Sequence, residues 1–242
     1  VSFAGQTWWL VGASEGLGRA LAELMAADGA HVVVSARASD RLTDLAQSLP
    51  NTRAVAMDVR DMDSVRTAAA QVGVVDGLVY LAGAYWPMTA QEYDGEKTLA
   101  MLDVNLSGAA RVLDVVLPDM VARDRGQIVL TGSLAGYRGL PGAVGYGASK
   151  AGLMHLAECL HADLRGTGVH VQQINPGFIR TRLTDKNTFA MPFILDADDA
   201  AKRMLDIMRT GRFKAAFPTL FSYVFRLGRF LPGWLYDRVF AR

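Results

Sequence analysis

The chain has 242 residues, 51% of them hydrophobic and 20% charged, enough to bury a sizeable core in one α/β domain. A formal charge of +1 gives no global reason to expect nucleic acid, and a single cysteine, Cys159, excludes an internal disulfide framework and fits a reducing compartment. No stretch approaches the ~18 uncharged apolar residues of a membrane span, and "VSFAGQTWWLVGAS" has no basic region followed by a long apolar run, so a cytoplasmic setting without a signal peptide is expected.

In chain order, short β-branched runs alternate with longer stretches of helical period. "TWWLVG" (7–12) reads as a strand and "GLGRALAELMAADG" (16–29) as a helix with Leu17, Leu21, Leu24 and Met25 on its apolar side. "HVVVSA" (31–36) reads as a strand, and "SDRLTDLAQSL" (39–49) as a helix capped by Ser or Asp. Further strands are read at 53–59, 77–83, 126–133 and 169–176, with long helices over 97–122 and 146–166. Near-continuous apolar strands alternating with helices predict a parallel sheet covered on both faces. The fold expected is a single doubly wound, Rossmann-type α/β domain over residues 1–242, closed by a divergent C-terminal segment after about residue 197.

The first strand runs directly into "GASEGLG", with Gly12, Gly16 and Gly18. Glycines here permit a tight turn and close approach of the backbone to a diphosphate, and the following helix offers its N-terminal amides and positive dipole end. A site for NAD usually has an Asp or Glu about 20 residues past the glycines, to accept bonds from the ribose 2′-hydroxyl. Residues 34–37 contain none, and Arg37 could clamp a 2′-phosphate with bidentate charge-assisted bonds, so NADP(H) is the cofactor predicted.

Tyr146 and Lys150 in "YGASK" stand four apart, one turn apart on a helix face. An unperturbed phenol titrates near ~10 and is a poor acid or base at neutral pH. A neighbouring ammonium favours the phenolate, so Lys150 is expected to lower the pKa of Tyr146. Alone, the pair could be packing plus a solvated amine.

Taken together, these motifs resemble those of the short-chain dehydrogenase/reductase family, from about residue 5 to about residue 185. "GASEGLG" resembles its cofactor loop and "YGASK" its Tyr-x-x-x-Lys motif. Ser133 in "TGSLAG" lies thirteen residues before Tyr146, Asn105 in "DVNLSG" matches the family's helix asparagine, and Asp58 in "AMDV" matches its adenine-contacting aspartate. "NPGFIRT" (175–181) is similar to the segment that wraps the nicotinamide. The resemblance implies a catalytic set of Asn105, Ser133, Tyr146 and Lys150. Ser133 would bond the substrate oxygen, Tyr146 would exchange its proton, Lys150 would also hold the nicotinamide ribose, and Asn105 would hold a water linking Lys150 to solvent. It implies cofactor contacts from Gly12, Ser14, Glu15, Gly16, Leu17, Gly18, Arg37, Asp58, Val59, Ala82, Gly83, Tyr146, Lys150, Pro176, Gly177, Ile179 and Thr181. One departure is "YLAG", where Tyr80 and Leu81 replace the family's two asparagines, so local differences are expected there.

The loop 181–199 should cover a small-molecule carbonyl or alcohol, with Ser133, Tyr85, Trp86, Leu183, Phe189 and Met191 as substrate contacts, and Phe193 and Ile194 beside them. Their apolar character favours a hydrophobic ketone, aldehyde or acyl chain. His155, His161 and His170 show no metal-ligand spacing, and Cys159 reads as a packed thiol. From Lys202 to Arg242 there are nine Lys/Arg against two Asp/Glu, an excess of seven that leaves the preceding chain at minus six. This aromatic, basic tail replaces the Asp-Gly-Gly strand of many family tetramers. It fits either a packed segment, over the pocket or at a dimer contact, or a peripheral membrane element. A homodimer through helices 97–122 and 146–166, or a homotetramer, follows from the resemblance. A non-catalytic dinucleotide-binding or sensor protein on the same fold is the alternative; the complete Ser133/Tyr146/Lys150 set argues against it.

Overall fold

Two consecutive tryptophans set the layering. In the computed structural model, which describes residues 2–37 and 39–240, strand β1 (Thr7–Val11) buries Trp8 and Trp9 completely. Successive strand side chains point to opposite faces, so Trp8 enters one core and Trp9 the other. The Trp9 indole donates to Ser35 Oγ at 2.8 Å, which satisfies its buried N–H.

The first half of the chain continues through α1 (Gly16–Ala27), β2 (His31–Ala36), α2 (Asp40–Ser48), β3 (Thr52–Ala56), α3 (Met62–Val72) and β4 (Gly77–Tyr80). Next come α4 (Gly95–Leu102), α5 (Gly108–Ala122), β5 (Gly126–Thr131), α6 (Val144–Asp163) and β6 (Val169–Pro176). The last elements are α7 (Ala197–Thr210), β7 (Lys214–Phe217), α8 (Thr219–Gly228) and α9 (Gly233–Phe240). All seven strands pair in parallel, in the order β3-β2-β1-β4-β5-β6-β7. The chain winds outward from β1 to β3, then returns to β4 on the other side of β1. That reversal opens a crevice beyond the C-terminal ends of β1 and β4. One core packs α1, α2 and α7 against the sheet through Leu21, Met25, Leu42, Leu45 and Met204. The other packs α3, α5 and α6 through Val65, Ala68, Val112, Met120 and Leu153. The architecture is the doubly wound α/β fold read from the sequence.

The structure amends and adds to these readings. The segment 97–122 is not one regular helix, because a π turn, Asp103–Ser107, separates α4 from α5. The turn lies at a close approach: a Cβ on Gly108 would fall onto the Tyr80 hydroxyl and Val59, and that hydroxyl donates to the Val104 carbonyl at 2.6 Å. Helix α3 follows an Asp61 side-chain cap that the sequence reading passed over. The segment after residue 197 closes the domain: α7 joins α1 in the core and β7 extends the sheet. Cys159 is exposed rather than packed, on the outward side of α6.

Candidate active site

Every residue that the sequence assigned to the cofactor lines one cleft at the crevice, from Arg37 and Asp58 at one end to Tyr146 and Lys150 at the other. Two glycines make its floor. Gly12 has φ +94°, and a Cβ there would fall onto the backbone nitrogen of Ala82; a Cβ on Gly18 would fall onto the Gly12 carbonyl. The loop therefore needs glycine for conformation at Gly12 and for close packing at both. Glu15 precedes α1 but does not cap it through its side chain. Its carboxylate instead accepts from Arg41 at 2.8 Å and Arg182 at 2.9 Å. The first-turn amides of α1 thus face the cleft without an acidic cap, the arrangement that suits an anion.

The Arg37 end is polar and solvent-facing. Arg37 is exposed just beyond β2 and lines the cleft with Asp58, Val59 and Arg60. Arg60 donates to the Asp58 carboxylate at 2.7 Å through Nη2 and at 3.1 Å through Nε. These bonds hold the carboxyl below its ordinary range, and the charge of Arg37 adds to the effect. The sequence reading missed Arg60, although its spacing two residues after Asp58 was visible.

The Tyr146 end is enclosed. Lys150 is 4% exposed, and its Nζ donates to the Thr131 carbonyl at 2.8 Å. Burial pulls its amine down to about 8. The Tyr146 phenol is pushed up by burial, and the nearby Ser133 hydroxyl opposes that shift. This corrects the expectation that Lys150 lowers it. Nζ lies 5.9 Å from the centre of the Tyr146 ring, and desolvation of the phenolate is the larger effect. Ser133 Oγ also accepts from the Ala135 amide at 3.2 Å, which fixes the serine at the start of a short 3₁₀ turn, Leu134–Gly136. Thr131 Oγ1, at the wall beside Lys150, is buried without a partner among the described residues.

Asn105 ties two elements together. It is fully buried in the π turn, and its amide is engaged by the chain itself: Oδ1 accepts from Ala84 N at 2.7 Å, while Nδ2 donates to Ala84 O at 3.0 Å and to Ser149 Oγ at 2.9 Å. It joins the β4 loop to α6 and has no bond to Lys150.

Of the expected substrate contacts, Ser133, Trp86 and Leu183 line the cleft, and Tyr85, Phe189 and Met191 do not. Tyr85 is buried edge-on against Tyr146, with centroids 4.9 Å apart, and burial raises its phenol to about 12. Its hydroxyl donates to Asn187 Oδ1 at 2.7 Å, and Lys186 donates to the Tyr85 carbonyl at 2.7 Å while lying over the Trp86 ring. This latch turns the following loop outward. Phe189 then packs against Phe178, and Met191 Sδ accepts from Asn187 Nδ2 at 3.2 Å.

The glycine floor, the uncapped helix start, the partnerless Thr131 hydroxyl and the arginine at the far end suit a nicotinamide dinucleotide. A family model described as short chain dehydrogenase matches residues 6–191. An uncharacterized oxidoreductase of Myxococcus xanthus is 38% identical over 98% of this chain and 97% of its own length. Sulfoacetaldehyde reductase of Chromohalobacter salexigens is 37% identical over 73% of each chain. A solved short chain dehydrogenase/reductase family protein superposes with a TM-score of 0.82 at 31% identity, over 89% of this chain and 95% of the other.

Proposed function

The chain belongs to the short chain dehydrogenase family of oxidoreductases, and on that premise we propose that it is an NADP(H)-dependent carbonyl reductase acting on a hydrophobic ketone, aldehyde or acyl-type substrate. The observation that carries this reading is the trio at one end of the cleft: Ser133, Tyr146 and Lys150 line it together, with Lys150 held there by the Thr131 carbonyl. A reductase relative, sulfoacetaldehyde reductase, supports carbonyl chemistry.

The cofactor, when bound, supplies the hydride. The glycine loop and the α1 amides would hold its diphosphate, and Arg37 the 2′-phosphate. Lys150, with two N–H donors beyond the one given to Thr131, would hold the ribose hydroxyls. Burial keeps the Tyr146 phenol protonated at neutral pH, so it is stored as the acid form needed to protonate a carbonyl oxygen. Ser133 is placed to bond the same oxygen and to stabilise the charge that develops there. Asn105 acts as a positioning residue, because Ala84 and Ser149 take its amide. Trp86 and Leu183 give the mouth its apolar character. We place the enzyme in the cytoplasm as a homodimer or homotetramer, paired through the outer faces of α4, α5 and α6, where Leu99, Val121 and Val144 are exposed.

A ketone and aldehyde panel assayed with NADPH and with NADH tests the reading. NADPH-dependent reduction of apolar carbonyls is the expected result. Binding of NADPH without turnover of any carbonyl would instead favour the non-catalytic alternative.

A further inference from the structure

Helix α8 has two apolar sides. Its inner side, Phe221, Phe225 and Gly228, is packed: Phe221 meets Phe178 and Phe193, and Phe225 meets Phe240. The outer side carries Leu220, Tyr223, Val224 and Leu227, at spacings of three and four, so they form one stripe along the helix. All four are exposed, Leu220 at 82%, and Phe230 and Trp234 just beyond are exposed at 75% and 71%. Isolated exposed apolar residues are ordinary, but a full stripe is not.

This stripe is rigidly presented. Arg138, from the loop between β5 and α6, donates to the carbonyls of Gly228 and Leu231 at 3.0 and 2.7 Å and lies over the Tyr236 ring at 3.9 Å. The Tyr236 hydroxyl donates to the Gly139 carbonyl at 2.8 Å. The outer residues are therefore held outward by their neighbours on the inner side.

Cations border the stripe. Arg226 lies over the Tyr223 ring and Arg229 over the Phe230 ring, each at 5.0 Å. Arg238 is exposed on α9, where Asp237 is the lone acid of α8 and α9. A twofold contact between copies through this face would set these arginines against themselves. An anionic surface would complement them. Apolar and aromatic side chains flanked by arginine match the interface of a bilayer, where the rings sit at headgroup depth and the guanidinium groups reach phosphate. Among the described residues no helix is long and apolar enough to cross a membrane, so such an element would lie on the surface.

We infer that the outer stripe of α8, with Phe230 and Trp234, docks the protein on an anionic lipid bilayer. The same helix packs on Phe178, which stands between the cleft residues Gly177 and Ile179. Docking would therefore bring that side of the cleft toward the lipid.

Co-sedimentation of the full chain with vesicles tests this without any turnover. The vesicles are phosphatidylcholine alone or phosphatidylcholine with about a third phosphatidylglycerol, since binding needs both apolar area and anionic charge. The intact protein should pellet with the anionic vesicles and be released by high salt. The triple change Leu220→Ser, Leu227→Ser and Phe230→Ser should lower partitioning at least tenfold, as should Arg226→Glu with Arg229→Glu. Val74→Ser, a comparably exposed apolar site just after α3, should leave it unchanged. Circular dichroism confirms that each variant is folded. Failure of the intact protein to pellet with anionic vesicles overturns the inference. So does unchanged pelleting of both stripe variants, or a stripe variant that shifts the oligomeric state in vesicle-free sedimentation.

Discussion

The two ends of the cleft are built on opposite electrostatic principles. At the Tyr146 end, burial governs: it lowers Lys150 to about 8, raises Tyr146, and raises Tyr85 to about 12. At the Arg37 end, paired charges govern: Asp58 is lowered by Arg60 and Arg37, and Glu15 is shared between Arg41 and Arg182. Water screens charges more at the open end than at the closed one. The closed end can tune a proton, and the open end can only select a partner by charge. Changes at the closed end should therefore be large and indifferent to salt, and those at the open end smaller and salt-sensitive.

The largest effect should come from Tyr146→Phe. Removing one hydroxyl takes away the proposed proton donor, so turnover should fall about 10³-fold, while NADPH affinity from fluorescence titration changes less than about twofold. A turnover loss that high salt relieves would break the contrast between the ends.

Lys150→Met should separate activity from stability. Turnover should fall about 10²-fold. The unliganded variant, however, should melt about 3–6 °C higher at pH 7, because a buried cation costs stability that a similar apolar side chain does not. The sign with pH follows from linkage. The native amine titrates at about 8 and the unfolded one near ~10.4. Between those values the unfolded chain binds more protons, so wild-type stability rises across that window, and the full penalty applies below it. The gap in melting temperature should shrink from pH 7 to pH 10; a constant gap would mean that burial does not set this acidity.

These acidities were not legible in the sequence. The spacing of Tyr146 and Lys150 gave their proximity. Which of burial or the ammonium dominates depends on walls such as Tyr85 and Thr131, supplied by distant segments. Asn105 was legible as a helix residue of the site, but its partners Ala84 and Ser149 meet it only through the π turn. Strands β1, β2, β4 and β5 were readable because both faces are buried and the runs are continuously apolar. Strand β7, "KAAF", is four residues with no β-branched side chain, so it formed by pairing with β6 and not by propensity. Phe189 and Met191 do not line the cleft; they lie just after the latch of Tyr85, Lys186 and Asn187, which no local pattern encodes.

At the open end, Arg37→Ala should raise the KM for NADPH about tenfold and that for NADH less than about twofold. Raising ionic strength from about 0.05 to 0.5 M should shrink the difference between the cofactors, since an exposed arginine is screened. Equal effects on both cofactors would remove Arg37 from recognition of the 2′-phosphate.

The smallest effect should come from Glu15→Gln. Its carboxylate links α2 to the loop after β6 through Arg41 and Arg182, and all three side chains are 43–65% exposed. Exposed ion pairs contribute at most about 1 kcal/mol each, so the phosphate loop and the opposing loop should separate more easily without losing their fold. NADPH dissociation in stopped flow should quicken about two- to threefold, with kcat unchanged where hydride transfer limits. The same substitution removes a negative charge beside the proposed phosphate sites, which works in the opposite direction by favouring the anion. High salt distinguishes the two: if the latch dominates, salt should abolish the difference by speeding the wild type to the variant's rate. If NADPH leaves the variant more slowly at low salt, charge repulsion from Glu15 is the larger effect, and the contact across the cleft is incidental to cofactor retention.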